Sequence, residues 1–284
     1  MPCNSIHASF VGNAPSSSTT SSSSVQKNAL SKIHRHRRAA PSTGAKMASS
    51  SSTPPPSSSL SLIIWDVDGT LANTTTLAFE ATNEVLKKHE LPEVSLQQYE
   101  HGSRYTTPKR FSYHACGDSE GEKELGEKLG ACFDEYYVEL VTTETAGLFA
   151  GVRSVIERTR KNGVRHAALS NACGEYARRV VAVNQLDTIF EMSLGADDVS
   201  KAKPEPDGIR ELCEKLNVEV SKAVYVGDTP SDGKAAKAAG CLFSVGVNWG
   251  SHDLSCASNK SHFDIVCETR EELERFFLAK ALVS

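Results

Sequence analysis

The first 60 residues lack acidic side chains altogether, although the chain of 284 residues contains 35 Asp and Glu in total. This segment carries six basic residues and is otherwise rich in Ser, Thr and Pro. Because it has so little apolar material to bury, it cannot offset the entropy lost on folding, and we expect residues 1–60 to be disordered. A plain tail and a targeting segment both fit this composition.

The composition of residues 1–60 is similar to that of an organelle transit peptide. Such peptides are rich in Ser and Arg and poor in acidic residues, whereas a secretory signal needs a continuous apolar stretch that is missing here. The stretch that begins at Met47 resembles the start of a plastid transit peptide, so a second initiation site is an alternative. We therefore predict a location in the plastid stroma, with the cytoplasm as the alternative.

Long apolar runs, paired cysteines and clustered histidines are also missing. No apolar stretch approaches the roughly 20 residues that cross a bilayer, so we expect no membrane partner. The lack of any C-x-x-C pair argues against a zinc site and a disulfide framework, and we expect reduced thiols. The eight cysteines stand at positions 3, 116, 132, 173, 213, 241, 256 and 267.

Residues 61–284 have a strong excess of negative charge. They carry all 35 acidic side chains against 25 basic ones, a formal charge of −10. Nucleic-acid binding needs a basic face against the phosphate backbone, so we exclude nucleic acid as a partner. Basic positions inside a cleft can still hold a small anion.

From residue 61 onward, short apolar runs alternate with amphipathic helical segments. The first run, residues 62–65, suits a strand that is buried on both faces. Repeated β-α units predict a Rossmann-like, three-layer α/β fold with a parallel sheet between helices, which ends in a short strand at 263–266. The core is assigned to residues 61–76 and 149–284, and an inserted helical cap domain to residues 77–148.

Two carboxylates follow the first predicted strand. Asp66 and Asp68 stand two positions apart, and Gly69 lets the chain turn so that both can point into a cleft. One carboxylate can then act as a nucleophile and the other as an acid and base, given a cation that reduces their repulsion. A calcium loop is disfavoured by Thr70 and Leu71 at its ligand and glycine positions. A surface turn fits poorly after four apolar residues.

Three further segments place polar side chains after predicted strands, where parallel sheets carry their active sites. Ser170 and Asn171 lead into a helix and could bind a phosphate oxygen, although they could equally cap that helix. Lys203 could offset negative charge or simply be solvated. Asp228 is placed as an oxygen ligand for Mg²⁺, and Asp232 begins the next helix, where its charge suits the helix dipole.

In this order the four segments resemble the motifs of the haloacid dehalogenase superfamily of phosphotransferases. The resemblance extends from residue 61 to the C-terminus, about four fifths of the chain. The helical insert after the first motif is similar to the cap of phosphoglycolate phosphatases and β-phosphoglucomutases. The matching residues are Asp66-x-Asp68-Gly69-Thr70, Ser170-Asn171, Lys203-Pro204 and Gly227-Asp228-x-x-x-Asp232.

The resemblance implies the chemistry of the two carboxylates at the first motif. Asp66 would attack the phosphorus atom and become phosphorylated. Asp68 would protonate the leaving alkoxide and then deprotonate the water that cleaves the acyl phosphate. Mg²⁺ would be held by Asp66, by the backbone carbonyl of Asp68 and by Asp228. A carboxylate at position 68 also separates this chain from the dehalogenases of the superfamily, which lack one there.

The resemblance likewise implies a phosphate site. Ser170, the adjacent Asn171 and Lys203 would bind phosphoryl oxygens as negative charge shifts in the transition state. Asp232 would support the metal through water or orient Lys203. The chain departs from the family at residues 72–74, where Ala-Asn-Thr replaces the frequent Val-Asp-Ser or Val-Asp-Thr. This departure leaves the reaction intact but weakens the transfer of subgroup specificity.

The cap segment contains a cluster of cations in an otherwise acidic body. Arg104, Lys109 and Arg110 lie within seven residues of one another. Our hypothesis is that at least one of them binds a carboxylate or second anionic group of the substrate; the alternative is that all three are solvated. The resemblance implies that the partner is a small phosphorylated metabolite, with 2-phosphoglycolate favoured. A sugar-phosphate phosphatase, a mutase and a non-catalytic regulatory protein are the other readings.

Overall fold

The computed structural model describes residues 60–116 and 123–281. The predicted disordered segment, its transit-peptide function and the alternative start at Met47 therefore lie outside the described residues, apart from Leu60. Within the described part, no helix is both long enough and apolar enough to cross a membrane.

Six parallel strands form one sheet in the order β3-β2-β1-β4-β5-β6. The predicted parallel α/β sheet is thereby confirmed. The strands are β1 (Leu62–Trp65), β2 (Arg165–Leu169), β3 (Phe190–Leu194), β4 (Ala223–Gly227), β5 (Phe243–Val247) and β6 (Ile265–Cys267).

Strand β1 lies in the middle of the sheet and is buried on both faces. Ile63 and Trp65 belong to the larger apolar cluster, whereas Leu62 and Ile64 belong to a second cluster on the opposite face. All four side chains are fully buried. A continuous apolar run suits this position because successive side chains of a strand point to opposite faces, and both faces are covered here.

Helices cover the sheet and form a separate group between β1 and β2. The described helices are α1 (Thr75–Lys88), α2 (Leu96–Gly102), α3 (Thr107–Cys116), α4 (Lys123–Glu139), α5 (Val152–Lys161), α6 (Gly174–Val183), α7 (Asp207–Lys215), α8 (Pro230–Ala239), α9 (Ala257–Lys260) and α10 (Arg270–Ala281). Helices α1 to α4 occupy the stretch in which the inserted cap was predicted. The first of them begins at Thr75, two residues before the predicted boundary.

Two short antiparallel segments connect this helical group to the sheet. The amide of Asn73 donates to the carbonyl of Gly147, and the amide of Phe149 donates to the carbonyl of Leu71. The chain therefore leaves β1 and returns to α5 through adjacent segments that pair at one isolated β-bridge, between Ala72 and Leu148. This arrangement holds α1 to α4 above the carboxyl end of β1.

Strand β6 begins two residues later than its sequence pattern predicts. The amide of Phe263 donates to the carbonyl of Lys260, which closes the turn after α9, so Phe263 belongs to that turn. Pairing with β5 starts at Ile265, opposite Val245. The apolar side chain of Phe263 is buried in this turn, which explains why its pattern resembles that of a strand.

Candidate active site

The four predicted segments meet at the carboxyl ends of neighbouring strands. Asp66 follows β1, Ser170 follows β2 and Asp228 follows β4, and these three strands are adjacent in the sheet. Parallel strands place their carboxyl ends at one edge, which explains the convergence. The resulting cavity has a volume of about 70 Å³, and its lining includes Asp66, Asp68, Ser170, Asn171, Lys203 and, from the helical group above, Arg110.

Lys203 joins two buried carboxylates. Its Nζ lies 2.5 Å from Asp66 Oδ1 and 2.7 Å from Asp232 Oδ1. Burial alone would lower the pKa of Lys203, but the carboxylates of Asp232 and Asp66 outweigh it and raise that pKa well above 10.5. Lys203 is therefore a fixed cation beside Asp66. The second oxygen of Asp232 accepts hydrogen bonds from the amide and hydroxyl of Thr229, which fixes Asp232 as a support for the lysine.

Three carboxylates form a cluster that one lysine does not neutralise. An oxygen from each of Asp66, Asp228 and Asp232 lies within 4.8 Å of the others, and all three residues are buried. Burial raises the pKa of Asp66 well above 3.8; the ammonium of Lys203 opposes this, and the neighbouring carboxylates add to it. Such an excess of buried negative charge fits a divalent cation with oxygen ligands.

One oxygen of the Asp228 carboxylate faces this cluster, and the other is fixed by hydrogen bonds. Its Oδ2 accepts hydrogen bonds from the amide of Ser251 at 2.7 Å and from the Ser251 hydroxyl at 2.8 Å. Its Oδ1 accepts a hydrogen bond from the hydroxyl of Thr70 at 3.2 Å. Asp228 is thus fixed in orientation, with Oδ1 turned toward the Asp66 side of the site.

Asp68 occupies a different part of the same cavity. Its Oδ1 accepts hydrogen bonds from Thr74 at 2.7 Å and from Tyr176 at 2.5 Å, and its Oδ2 accepts one from Ser170 at 3.3 Å. The Tyr137 hydroxyl lies 3.3 Å from the same Oδ1. The Asp68 carboxyl group therefore lies apart from the Lys203 cluster, surrounded by hydroxyl groups rather than by charges.

The two polar residues after β2 have different surroundings. The hydroxyl of Ser170 accepts a hydrogen bond from the amide of Ala172 at 3.0 Å and faces Asp68. The side-chain nitrogen of Asn171 donates to the carbonyl of Lys203 at 3.0 Å, which braces the Lys203 loop. The buried Asn171 Oδ1 has no hydrogen-bond partner among the described residues.

Comparison with known proteins identifies the family of this chain. The model of the haloacid dehalogenase-like hydrolase family matches residues 63–245. The chain belongs to this family. A phosphoglycolate phosphatase of Neisseria meningitidis is 30% identical over 205 residues, which cover 69% of this chain and 83% of the relative. A phosphoglycolate phosphatase of Escherichia coli is 25% identical over 229 residues, 74% of this chain and 90% of the relative.

Solved structures of similar proteins support the fold. CbbY from Rhodobacter sphaeroides, in complex with xylulose-1,5-bisphosphate, aligns with a TM-score of 0.63 at 22% identity, covering 75% of this chain and 96% of that one. The family and the phosphoglycolate phosphatases among the relatives make this hydrolase a phosphatase enzyme rather than a binding protein on the same fold.

The three cations of the predicted cap segment lie in different environments. Arg110 is only 7% exposed and lines the cavity that contains Asp66 and Asp68. Arg104 instead contacts His101 and the hydroxyl of Tyr105, and the exposed Lys109 lies over the Tyr105 ring. Arg104 and Lys109 line a neighbouring cavity of about 640 Å³.

Arg110 is a buried cation whose guanidinium is not fully paired. Its Nε and Nη2 have no hydrogen-bond partner among the described residues. Its guanidinium lies 4.5 Å from the Phe133 ring centroid and 5.3 Å from that of Tyr99. Burial raises the pKa of the Asp134 carboxyl group to about 6, although the nearby charge of Arg110 lowers it. Ring contacts alone compensate little of the cost of burying a charge.

Sequence reasoning missed several residues that touch the predicted carboxylates. Thr70 had no role beyond its place in the motif, and Ser251, Tyr137 and Tyr176 were not singled out. Tyr176 could have been noticed, because it lies in the first turns of the helix that follows Ser170. No sequence signal marked Tyr137, which reaches Asp68 across 69 positions.

Proposed function

We propose that this enzyme is a Mg²⁺-dependent phosphatase that hydrolyses a small phosphate monoester, with 2-phosphoglycolate as the favoured substrate, through an aspartyl phosphate on Asp66. The proposal is supported above all by the separation of two carboxylates in one cavity. Asp66 contacts the cation Lys203 at 2.5 Å, whereas Asp68 contacts hydroxyl groups. Different surroundings let two equal side chains take different roles.

In the first step, an oxygen of Asp66 attacks the phosphorus atom and the bond to the leaving oxygen breaks. The Asp68 carboxyl group gives its proton to that oxygen, so a neutral alcohol departs. Lys203 and Ser170 lie on the cavity wall, where they can stabilise charge on the phosphoryl oxygens. In the second step, Asp68 takes a proton from the water that attacks the aspartyl phosphate, and inorganic phosphate leaves.

Asp66, Asp228 and the backbone carbonyl of Asp68 are the groups that we propose to hold Mg²⁺. When bound, the ion would polarise the phosphoryl group and neutralise part of its charge. Asp232 is assigned a supporting role, since one of its oxygens contacts Lys203 and the other is occupied by Thr229.

Arg110 is the residue that favours a substrate with a second anionic group. A buried guanidinium with unpartnered N–H groups is compensated when an anionic group of the substrate enters the cavity. The carboxylate of 2-phosphoglycolate is such a group, and its short carbon chain suits the smaller of the two neighbouring cavities. We further propose that residues 77–148 act as a cap that closes over this substrate and excludes water.

A sugar-phosphate phosphatase or a mutase is the second candidate function. It is favoured by the neighbouring cavity of about 640 Å³, which Arg104 and Lys109 line and which could receive a longer substrate. One structural relative was solved with a sugar bisphosphate.

A phosphate-release screen tests the proposal. Purified protein with Mg²⁺ is offered 2-phosphoglycolate, pentose and hexose phosphates and a sugar bisphosphate, and the highest kcat/KM identifies the substrate class. Asp66→Asn should abolish release from every ester, whereas the exposed Asp187→Asn should not change it. Full activity of Asp66→Asn would exclude the aspartyl-phosphate mechanism. A clear preference for sugar phosphates would select the second candidate.

We also propose that residues 1–60 direct the enzyme to the plastid stroma. The support is compositional: the segment is basic, rich in Ser and free of acidic residues, and it precedes the part that matches the family. Residues 1–60 and residues 47–60 can be fused separately to a fluorescent protein in plant cells. Diffuse cytoplasmic fluorescence of the longer fusion would contradict the proposal.

A further inference from the structure

Two tyrosines meet at the carboxyl group of Asp68. The Tyr176 hydroxyl donates to Asp68 Oδ1 at 2.5 Å, and the Tyr137 hydroxyl lies 3.1 Å from the Tyr176 oxygen. Their rings stack with centroids 4.4 Å apart and planes 17° from parallel. Both side chains are at most 2% exposed. The two tyrosine side chains are therefore shielded from bulk water.

The two tyrosines come from separate parts of the fold. Tyr137 lies on α4, in the helical group between β1 and β2, whereas Tyr176 lies on α6, which follows β2 of the sheet. Helices α4 and α6 pack against each other where the rings stack. The hydrogen bonds from Tyr137 to Tyr176 and from Tyr176 to Asp68 are consequently both present only when α4 is docked on α6.

We propose that Tyr137 and Tyr176 are positioning residues that fix the carboxyl group of Asp68 for proton transfer to the leaving group. The inference rests on the phosphatase function proposed above. A tyrosine hydroxyl suits this task because it can donate to a carboxylate and turn to accept from a carboxylic acid. Tyr176 therefore holds Asp68 in one orientation before and after its proton has moved, and Tyr137 holds the Tyr176 hydroxyl.

The two tyrosines affect only the transfer of the proton from Asp68 to the leaving oxygen. As Asp66 attacks, the electron pair of the breaking P–O bond moves to the leaving oxygen, which then needs the proton of Asp68 if it is an alkoxide. Acetyl phosphate releases acetate, which carries that electron pair without a proton. An Asp68 that is wrongly oriented should thus slow phosphorylation of Asp66 by 2-phosphoglycolate far more than phosphorylation by acetyl phosphate.

Rapid chemical quench can measure both phosphorylation rates under single-turnover conditions. Tyr176→Phe keeps the stacked ring and removes the hydroxyl, and we expect it to slow phosphorylation from 2-phosphoglycolate about 10- to 100-fold, the loss typical of a hydrogen bond to a charged group. The rate from acetyl phosphate should stay within about threefold. Tyr137→Phe should show the same selectivity with a smaller effect, because its hydroxyl is 3.3 Å from Asp68.

Tyr136→Phe is the matched control, since Tyr136 lies on the same helix with its side chain 37% exposed. It should change neither rate. Equal losses with both phosphates in Tyr176→Phe and Tyr137→Phe would show that the pair is only structural and would overturn the inference, as would unchanged rates. If the wild-type protein formed no phosphoenzyme from either compound, the proposed function itself would fail. Should Tyr176→Phe not fold, Tyr137→Phe carries the same comparison.

Discussion

Replacing Arg110 by Met should remove the preference that we propose for this phosphatase, which is for a substrate that carries a carboxylate. Methionine fills much of the space of the arginine stem beside Phe133 and Tyr99, so packing is largely kept while the charge is lost. The informative pair of substrates is 2-phosphoglycolate and ethyl phosphate. Both release an alcohol from a two-carbon chain, but only the first has a second anionic group.

The expected magnitude follows from the unpartnered atoms of the guanidinium. Two buried nitrogens of Arg110, Nε and Nη2, have no hydrogen-bond partner among the described residues, and we propose that the substrate carboxylate accepts one hydrogen bond from each. A hydrogen bond between charged groups contributes about 1.5–3 kcal/mol, and two bonds to one carboxylate are not fully additive. Taking ~3 kcal/mol for both, Arg110→Met should lower kcat/KM for 2-phosphoglycolate about 150-fold. The value for ethyl phosphate should change less than about threefold.

Lys109→Met provides a control for net charge. Lys109 is the neighbour of Arg110 in sequence, but it is exposed and lies over the Tyr105 ring outside the cavity of Asp66. It should leave the ratio of the two kcat/KM values unchanged. Steady-state phosphate release at fixed ionic strength measures the six kcat/KM values, two substrates for each of the wild type, Arg110→Met and Lys109→Met. An equal loss for both substrates in Arg110→Met, or an equal effect of Lys109→Met, would refute the assignment of Arg110 to the carboxylate.

Three further predictions concern the fold and the metal. Burial lowers the pKa of His166 from 6.5 to about 4, so the folded protein holds the neutral imidazole. The free energy of unfolding is therefore highest above pH 6.5 and falls by about 3 kcal/mol as the pH drops to 4. Urea unfolding of His166→Gln should show a weaker pH dependence. A Cβ on Gly126 would lie 2.5 Å from the Pro108 carbonyl, so Gly126→Ala should cost about 1–3 kcal/mol in thermal unfolding, and Gly130→Ala less. EDTA should abolish phosphate release, and added Mg²⁺ should restore it.

The convergence of the core residues could be predicted because it depends on local patterns. Asp66, Ser170 and Asp228 each follow an apolar run that forms a strand, and parallel strands bring their carboxyl ends to one edge. A shared cavity also requires β2, β1 and β4 to be neighbours in the sheet, which the structure shows and the local patterns do not specify. The weaker boundary of β6 illustrates the limit, since a buried turn residue such as Phe263 has the same apolar character as a strand residue.

Composition does not show that Arg110 is buried and Lys109 exposed, but the helical spacing of the apolar positions does. Thr107, Arg110 and Phe111 occupy positions i, i+3 and i+4, and all three are buried in the structure. An arginine on the apolar stripe of a helix faces inward, whereas Lys109 falls on the opposite side. Counting the cluster as three equivalent cations hid this signal.

The contact between Tyr137 and Asp68 could not be predicted, because it depends on how α4 docks against α6. No pattern within α4 specifies that docking, since its buried residues serve the packing against other helices equally well. A residue whose role arises at the contact of two separate segments has no local sequence signature. Predictions from sequence therefore reach the metal and nucleophile side of this site more easily than the side that the helical group supplies.

The charges of the cavity explain why the substrate itself is expected to complete the site. Carboxylates are in excess on the sheet side, around Asp66, whereas an unpaired guanidinium lies on the helical side at Arg110. The two sides do not pair directly: no ion pair within 4.0 Å joins Arg110 to a carboxylate in the described part of the chain. We expect a ligand with phosphate at one end and carboxylate at the other to compensate Arg110 while its phosphoryl group meets Lys203 and the proposed Mg²⁺. A phosphate ester with a neutral alcohol leaves Arg110 buried and unpaired, so discrimination follows from charge placement more than from size.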